Sequence, residues 1–154
     1  VNVAIRRMTL EDVPAVHTID TLSFSLPWPE NSYRYELTGN LVSRSWVAEF
    51  DGRMAAMLVL WLVIDEAHIA TIATHPDFRR RGIGEQLMIE ALRSARAEGA
   101  ARAFLEVRSG NTAALAMYKK YGFIVAGVRL RYYKDNNEDA ILMNLEDLNS
   151  LEAA

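Results

Sequence analysis

The 154-residue chain contains no cysteine. Disulfides, thiolate nucleophiles and zinc–thiolate sites are therefore excluded, and the composition accords with a reducing compartment. The three histidines, His17, His68 and His75, show no ligand spacing, so no metal site is expected and no serine–histidine–aspartate arrangement is indicated. Four prolines and eight glycines punctuate the sequence without forming a linker or an internal repeat. Long hydrophobic runs are missing too. The longest, "MAAMLVLWLVI" from Met54 to Ile64, falls short of the roughly 20 residues a membrane helix needs, and it does not follow a basic N-terminus. A cytoplasmic location without membrane contact is the expectation. A net charge of −3 gives no global attraction to nucleic acid, so direct nucleic-acid binding is not expected beyond a local contact.

What is present is an ordinary globular composition, 51% hydrophobic and 24% charged, of a size for one domain. That domain is expected to span residues 1–149, with 150–154 frayed. Val1 in the place of methionine suggests a processed or trimmed start.

Hydrophobic periodicity orders the elements. "NVAIRRMT" alternates as a strand, and Thr9 followed by Glu11 and Asp12 marks a helix start. "SLPWPENSYRYELTGN" predicts a loop and a short helix, a segment suited to carrying specificity. "SWVAEF", Asp51-Gly52 and "RMAAMLVLWLVI" predict a hairpin about a type I′ turn. "AHIATIAT" is a strand ending before Pro76, and from Ile83 the residues Leu87, Met88, Ala91, Leu92 and Ala95 recur at helical spacing up to Gly99. After the strand "ARAFLEVR", Asn111 or Thr112 caps a short helix that closes at Gly122. "FIVAGVRLRYY" and "DAILMNLE" flank "KDNNE" as a last hairpin. A mixed sheet with helices on its faces is the simplest architecture.

The sharpest feature is "HPDFRRRGIGEQL", where Arg79, Arg80 and Arg81 precede Gly82-Ile83-Gly84 at the start of a helix. The first N–H groups of that helix need acceptors, the helix dipole favours an anion, and glycine lets a ligand approach the backbone closely. A phosphate seat and a solvated basic turn are both open on these residues alone. A nucleotide-triphosphate loop would need Gly-Lys-Ser/Thr where Gly84-Glu85-Gln86 stands, and a dinucleotide fingerprint would need a third glycine where Leu87 stands.

Arg79-Arg80-Arg81-Gly82-Ile83-Gly84 matches the Arg/Gln-x-x-Gly-x-Gly/Ala signature of the GNAT N-acetyltransferases. The resemblance extends over nearly the whole chain, through "IATHPDFRRRGIGEQL", "LEVRSGNTAALAMYKKYGF" and "RYYKDNNEDAILM". The chain resembles most the RimI-like ribosomal-protein-alanine and archaeal N-terminal acetyltransferases. That resemblance implies an α+β fold of α/β/α layers, with a mixed, mostly antiparallel twisted sheet and helices on both faces. It also implies acetyl-CoA as co-substrate, no metal, and a protein N-terminus, such as that of a ribosomal protein, as acceptor. A monomer or weak dimer is expected.

Carried over by residue, the resemblance sets Ile72, Ala73 and Thr74 beside the pantetheine arm. It sets the amides of Arg80, Arg81, Gly82, Ile83, Gly84 and Glu85 on the pyrophosphate. Asn111 matches a position that contacts CoA, and it also suits a helix N-cap. Glu106 matches the general base and Tyr118 the general acid. By residue type alone, a strand glutamate is as readily a solvated side chain and a helical tyrosine a core one. Trp28, Tyr33, Tyr132 and Tyr133 are candidate walls for the acceptor, and Glu30 or Glu36 could meet a cationic N-terminus.

An α-amine titrates near 8 and a lysine near 10.4, so roughly two orders of magnitude more of the α-amine is neutral at pH 7. Glu106 therefore suits an α-amine acceptor better than a lysine. A tyrosine near 10 can protonate a departing thiolate of about 8.5 only in concert with bond breaking. Without a cysteine, a direct ternary complex replaces an acyl-enzyme. The alternatives are a GNAT enzyme acting on a small-molecule amine or lysine, and a non-catalytic acyl-CoA-binding module.

Overall fold

Asp51 and Gly52 take φ of 51° and 81°, as a type I′ turn demands, and join β2 (Ser43–Phe50) to β3 (Arg53–Val63). The structure is a computed structural model describing residues 3–153, so Asn2 of the first expected strand and Ala154 of the expected frayed end lie outside the described residues. The β2–β3 hairpin belongs to the first of two compact units, which runs to Leu62 and resumes with Ala70–Ala91.

In this unit β1 (Val3–Arg7) pairs antiparallel with β2, and a register shift at Ala48/Glu49 marks a bulge in the hairpin. The helices α1 (Val13–Ser23) and α2 (Glu30–Thr38) contribute Val13, Val16, Ile19 and Tyr33 to one cluster with Val47, Met57 and Val59 of the hairpin. Ala56, Leu58 and Leu60 alternate with Met57 and Val59 along β3 and are equally buried. Burial on both faces explains why β3 reads as a continuous apolar run rather than an alternating one. Each fully buried leucine or methionine there contributes about 1.5–3 kcal/mol. The entry to α1 is fixed by Asp12, whose carboxylate accepts from Thr9 N–H at 2.7 Å and takes both arms of Arg6 at 2.8 Å.

The second unit comprises Val63–Ile69 and residues from Leu92 onward. The first residues of β4 (Glu66–Thr74) pair in parallel with β5 (Arg102–Arg108), and β5 pairs antiparallel with β7 (Glu138–Leu145). β7 pairs in turn with β6 (Ile124–Tyr133), so the final hairpin places its later strand next to β5. Between β5 and β6 lies α4 (Thr112–Lys120), capped by Asn111, whose side chain accepts from Ala114 N–H at 3.2 Å. A 3-10 turn, Leu148–Ala153, occupies most of the segment expected to fray; Leu148 and Leu151 are buried, and Arg93 donates to the Leu151 carbonyl at 3.3 Å.

Hydrogen-bonded neighbours follow the order β1-β2-β3-β4-β5-β7-β6, a seven-stranded mixed sheet in which β4 and β5 pair in parallel. The remaining helix, α3 (Ile83–Ala97), buries Ile83, Leu87, Met88, Ala91, Leu92 and Ala95, the face its periodicity predicts.

Candidate active site

The glycine corner lies in the first unit, where β4 runs out into α3. Pro76 ends the strand, and a 3-10 turn follows in which His75 Nδ1 accepts Asp77 N–H at 3.1 Å. Arg80 and Gly82 then adopt left-handed φ of 66° and 74°. Those two reversals bring the chain onto the axis of α3, and Gln86 N–H makes the first bond of the helix to the Gly82 carbonyl at 3.0 Å. The amides of Gly82, Ile83 and Gly84 stand ahead of that bond, at the positive end of a 15-residue helix. A Cβ on Gly84 would lie 2.8 Å from Thr74 Oγ1, so a larger residue there has to displace the Thr74 side chain.

Two of the three arginines have side-chain contacts that shape the corner. Arg79 donates to the Thr74 carbonyl at 3.0 Å and to Ser23 Oγ at 3.2 Å, tying the corner to β4 and α1. Arg81 lies over the rings of Phe50 and Phe78, 5.2 and 5.8 Å from their centroids. Both side chains therefore shape the turn. Ile72, Ala73 and Thr74 form the end of β4, of which Ala73 is buried. The parallel pairing with β5 stops at His68↔Phe104, so among the described residues the backbone at 69–74 has a strand neighbour only on its β3 edge. An unpaired strand edge offers N–H and C=O groups to an extended ligand. Periodicity cannot reveal where a pairing ends, so only the family resemblance, and not the residue pattern, pointed to this edge.

Glu106, Asn111 and Tyr118 all lie in the second unit. Glu106 is on β5 with its carboxylate open to solvent, 3.7 Å from Arg129 Nε on β6. Tyr118 on α4 is 4% exposed and packs on Phe123 at 5.6 Å between centroids. Its hydroxyl has no protein hydrogen-bond partner among the described residues, and burial pushes it up to about 12. Asn111 serves as the cap of α4.

The expected acceptor walls differ in burial and in the contacts they make. Tyr33 is fully buried and donates to Asp20 at 2.5 Å, which corrects its placement as a wall: it belongs to the core beneath the loop at 24–29. Asp20 also accepts Trp28 N–H at 3.0 Å, so one buried carboxylate sets the entry to α2. Trp28 lines a cavity of about 600 Å³ with Ser32, Tyr35, Glu36, Asn40 and Trp61. Glu30 pairs with Arg34 on the exposed face of α2, whereas Glu36 is 6% exposed. In the second unit Tyr132 and Tyr133 meet edge to face at 5.2 Å, and Arg108 stacks on Tyr133 at 3.9 Å. Trp61 and Asn40 were not singled out in the sequence; "MLVLWLVI" reads as core, and only the fold turns its tryptophan toward α2.

His68 stacks on Phe104 and bonds Glu66, and His75 caps its turn, so both have local structural partners. Among the described residues no cluster of metal-ligating side chains occurs, and no helix is long and apolar enough to cross a membrane.

The model of the Acetyltransferase (GNAT) family matches residues 13–123. A Bacillus subtilis (strain 168) protein is 40% identical over 140 residues, covering 91% of this chain and 93% of its own. The [Ribosomal protein bS18]-alanine N-acetyltransferase of Escherichia coli (strain K12) is 34% identical over 145 residues, covering 87% and 90%. Among solved structures, the ribosomal-protein-S18-alanine N-acetyltransferase from E. coli superposes with a TM-score of 0.85 at 33% identity, covering 93% of this chain and 92% of that one. A GNAT family acetyltransferase from Elizabethkingia anophelis with acetyl-CoA bound shares the fold at a TM-score of 0.78 and 23% identity, covering 94% and 98%. With the signature corner built at the head of α3 and the family match running from α1 to the end of α4, the chain belongs to the GNAT acetyltransferase family.

Proposed function

We infer that this protein is an acetyl-CoA-dependent N-acetyltransferase acting on the N-terminal α-amine of a protein, with a ribosomal protein as its acceptor in the cytoplasm. The observation that carries it is the corner, where Gly84 packs closely on the Thr74 side chain and Gly82 holds φ at 74°. A pyrophosphate needs such close access to helix-end amides. Bound acetyl-CoA supplies an activated acetyl thioester. The amides of Arg80, Arg81, Gly82, Ile83, Gly84 and Glu85 hold its pyrophosphate, and the edge of Ile72, Ala73 and Thr74 orients its pantetheine amides. Asn111 both caps α4 and contributes to the CoA site.

Glu106 Oε accepts the proton of the acceptor ammonium, through a water molecule, so that the amine attacks in its neutral form. Tyr118 Oη donates a proton to the departing sulfur. Burial keeps that phenol protonated throughout the working range, and the transfer is concerted with C–S cleavage because a phenol near 12 is a weak acid. Tyr132 and Tyr133 act as acceptor-side walls, with Trp28 on the α2 segment.

The α-amine is favoured over lysine by the 34% identity to the E. coli bS18-alanine enzyme and by the modest demand an α-amine places on a solvent-open glutamate. Incubation with acetyl-CoA and a panel of peptides, read by mass spectrometry, should show acetyl on α-amines. Acetyl found only on lysine side chains or small amines would overturn the assignment.

A further inference from the structure

Glu36 is a carboxylate 6% exposed, and its hydrogen-bond partners are all neutral. Trp61 donates its indole N–H to Oε1, Asn40 donates to Oε2 at 2.8 Å, and Ser43 Oγ lies 3.4 Å away. Among the described residues no lysine, arginine or histidine pairs with it. A carboxylate whose donors are all neutral has no cationic partner of its own, and a cation at close range would complement it. That charge borders the 600 Å³ cavity, a volume within the roughly 300–1,000 Å³ typical of ligand sites. The other walls include Trp28, Tyr35 and Trp61, whose ring faces attract cations, and Tyr35 is 59% exposed at the rim.

We propose that this cavity of the first unit binds a basic side chain of the acceptor peptide, an arginine or lysine downstream of its N-terminus, with Glu36 as the counter-charge and the aromatic rings as the box. The proposal rests on the acceptor being a polypeptide, as inferred above. Chemistry distinguishes this cation from the reacting one. The α-amine must lose its proton to attack, and a buried carboxylate in an aromatic box would stabilise the protonated form instead. A guanidinium or ε-ammonium that takes no part in the reaction gains from the same environment. Glu36 is therefore a specificity residue, whose effect falls on acceptor binding rather than on the chemical step.

The test uses N-acetylated, amidated hexapeptides with one arginine at position 2, 3, 4 or 5, each matched to a peptide with neutral citrulline at that position. Binding is measured by calorimetry and by fluorescence of Trp28 and Trp61. The native protein should bind an arginine peptide at one or two positions on the order of tenfold more tightly than its citrulline partner. Glu36→Gln keeps an acceptor for the Trp61 indole and should abolish the preference; Tyr35→Leu, a change at the rim, should reduce it. With free-amine versions, the same substitutions should raise KM for arginine peptides alone and leave kcat unchanged. Equal affinity for arginine and citrulline at every position, or a preference that survives Glu36→Gln, would overturn the proposal. An arginine preference in blocked peptides without any α-amine acetylation would support the pocket and refute the assigned activity, so the two failures are separable.

Discussion

Glu106 and Tyr118 are placed in opposite environments, one open to solvent beside Arg129 and the other packed in the core. The contrast suits a base that exchanges protons with water and an acid that must keep its own. Glu106→Gln should lower kcat by roughly 10²–10⁴-fold with the greatest loss at low pH, where more of the acceptor is protonated, while CoA affinity is little changed. A pH–rate profile of wild type and variant checks this, and coincident profiles would assign deprotonation to another group. With the Tyr118 phenol at about 12, the sign of the alkaline effect follows: it stays protonated, so activity should rise as the α-amine loses its proton near 8 and show no falling limb up to about pH 10.5. Tyr118→Phe removes no protein hydrogen bond among the described residues, so its loss of kcat should come without a fall in Tm. Both roles came from the motif match, since burial, which separates the two residues, is a property of the packed chain.

At the scale of elements, the corner between β4 and α3 depends on backbone more than on charge. Arg79 and Arg81 are engaged by Thr74, Ser23 and two phenylalanine rings, so in the proposed function the anion falls mainly to the amides at the helix start. Gly84→Ala should raise KM for acetyl-CoA about tenfold, because the added Cβ meets Thr74 Oγ1 at 2.8 Å and disturbs the helix start against the end of β4. Adding Thr74→Ala removes the oxygen it meets and should restore most of the affinity, read by CoA titration. The elements themselves were legible: Asp51-Gly52 dictated its turn, and the 3.6-residue period of α3 named its buried face. Two things were not. The stop in β4–β5 pairing at His68 and the placing of β7 between β5 and β6 depend on contacts far apart in sequence, which no local pattern encodes.

Across the whole molecule, β4 passes from one compact unit to the other between Ile69 and Ala70, and α3 passes back between Ala91 and Leu92. A strand and a helix common to both units should couple their unfolding into one transition. All three tryptophans, Trp28, Trp46 and Trp61, belong to the first unit, so their fluorescence reports that unit, whereas far-UV circular dichroism reports both. The two signals should coincide in urea, and a separation of the midpoints would show two independently folding parts. By itself the sequence determined the element order, the hairpin turns, the helix faces and the family signature, because turn chemistry, hydrophobic period and glycine spacing act over a few residues. Tertiary structure alone decided that Tyr33 is core, that the Glu36 carboxylate lies among neutral donors beside an aromatic cavity, and that Arg79 and Arg81 serve as struts. Burial and ion pairing are settled by which distant side chains arrive beside a residue, and that information exists only once the chain has packed.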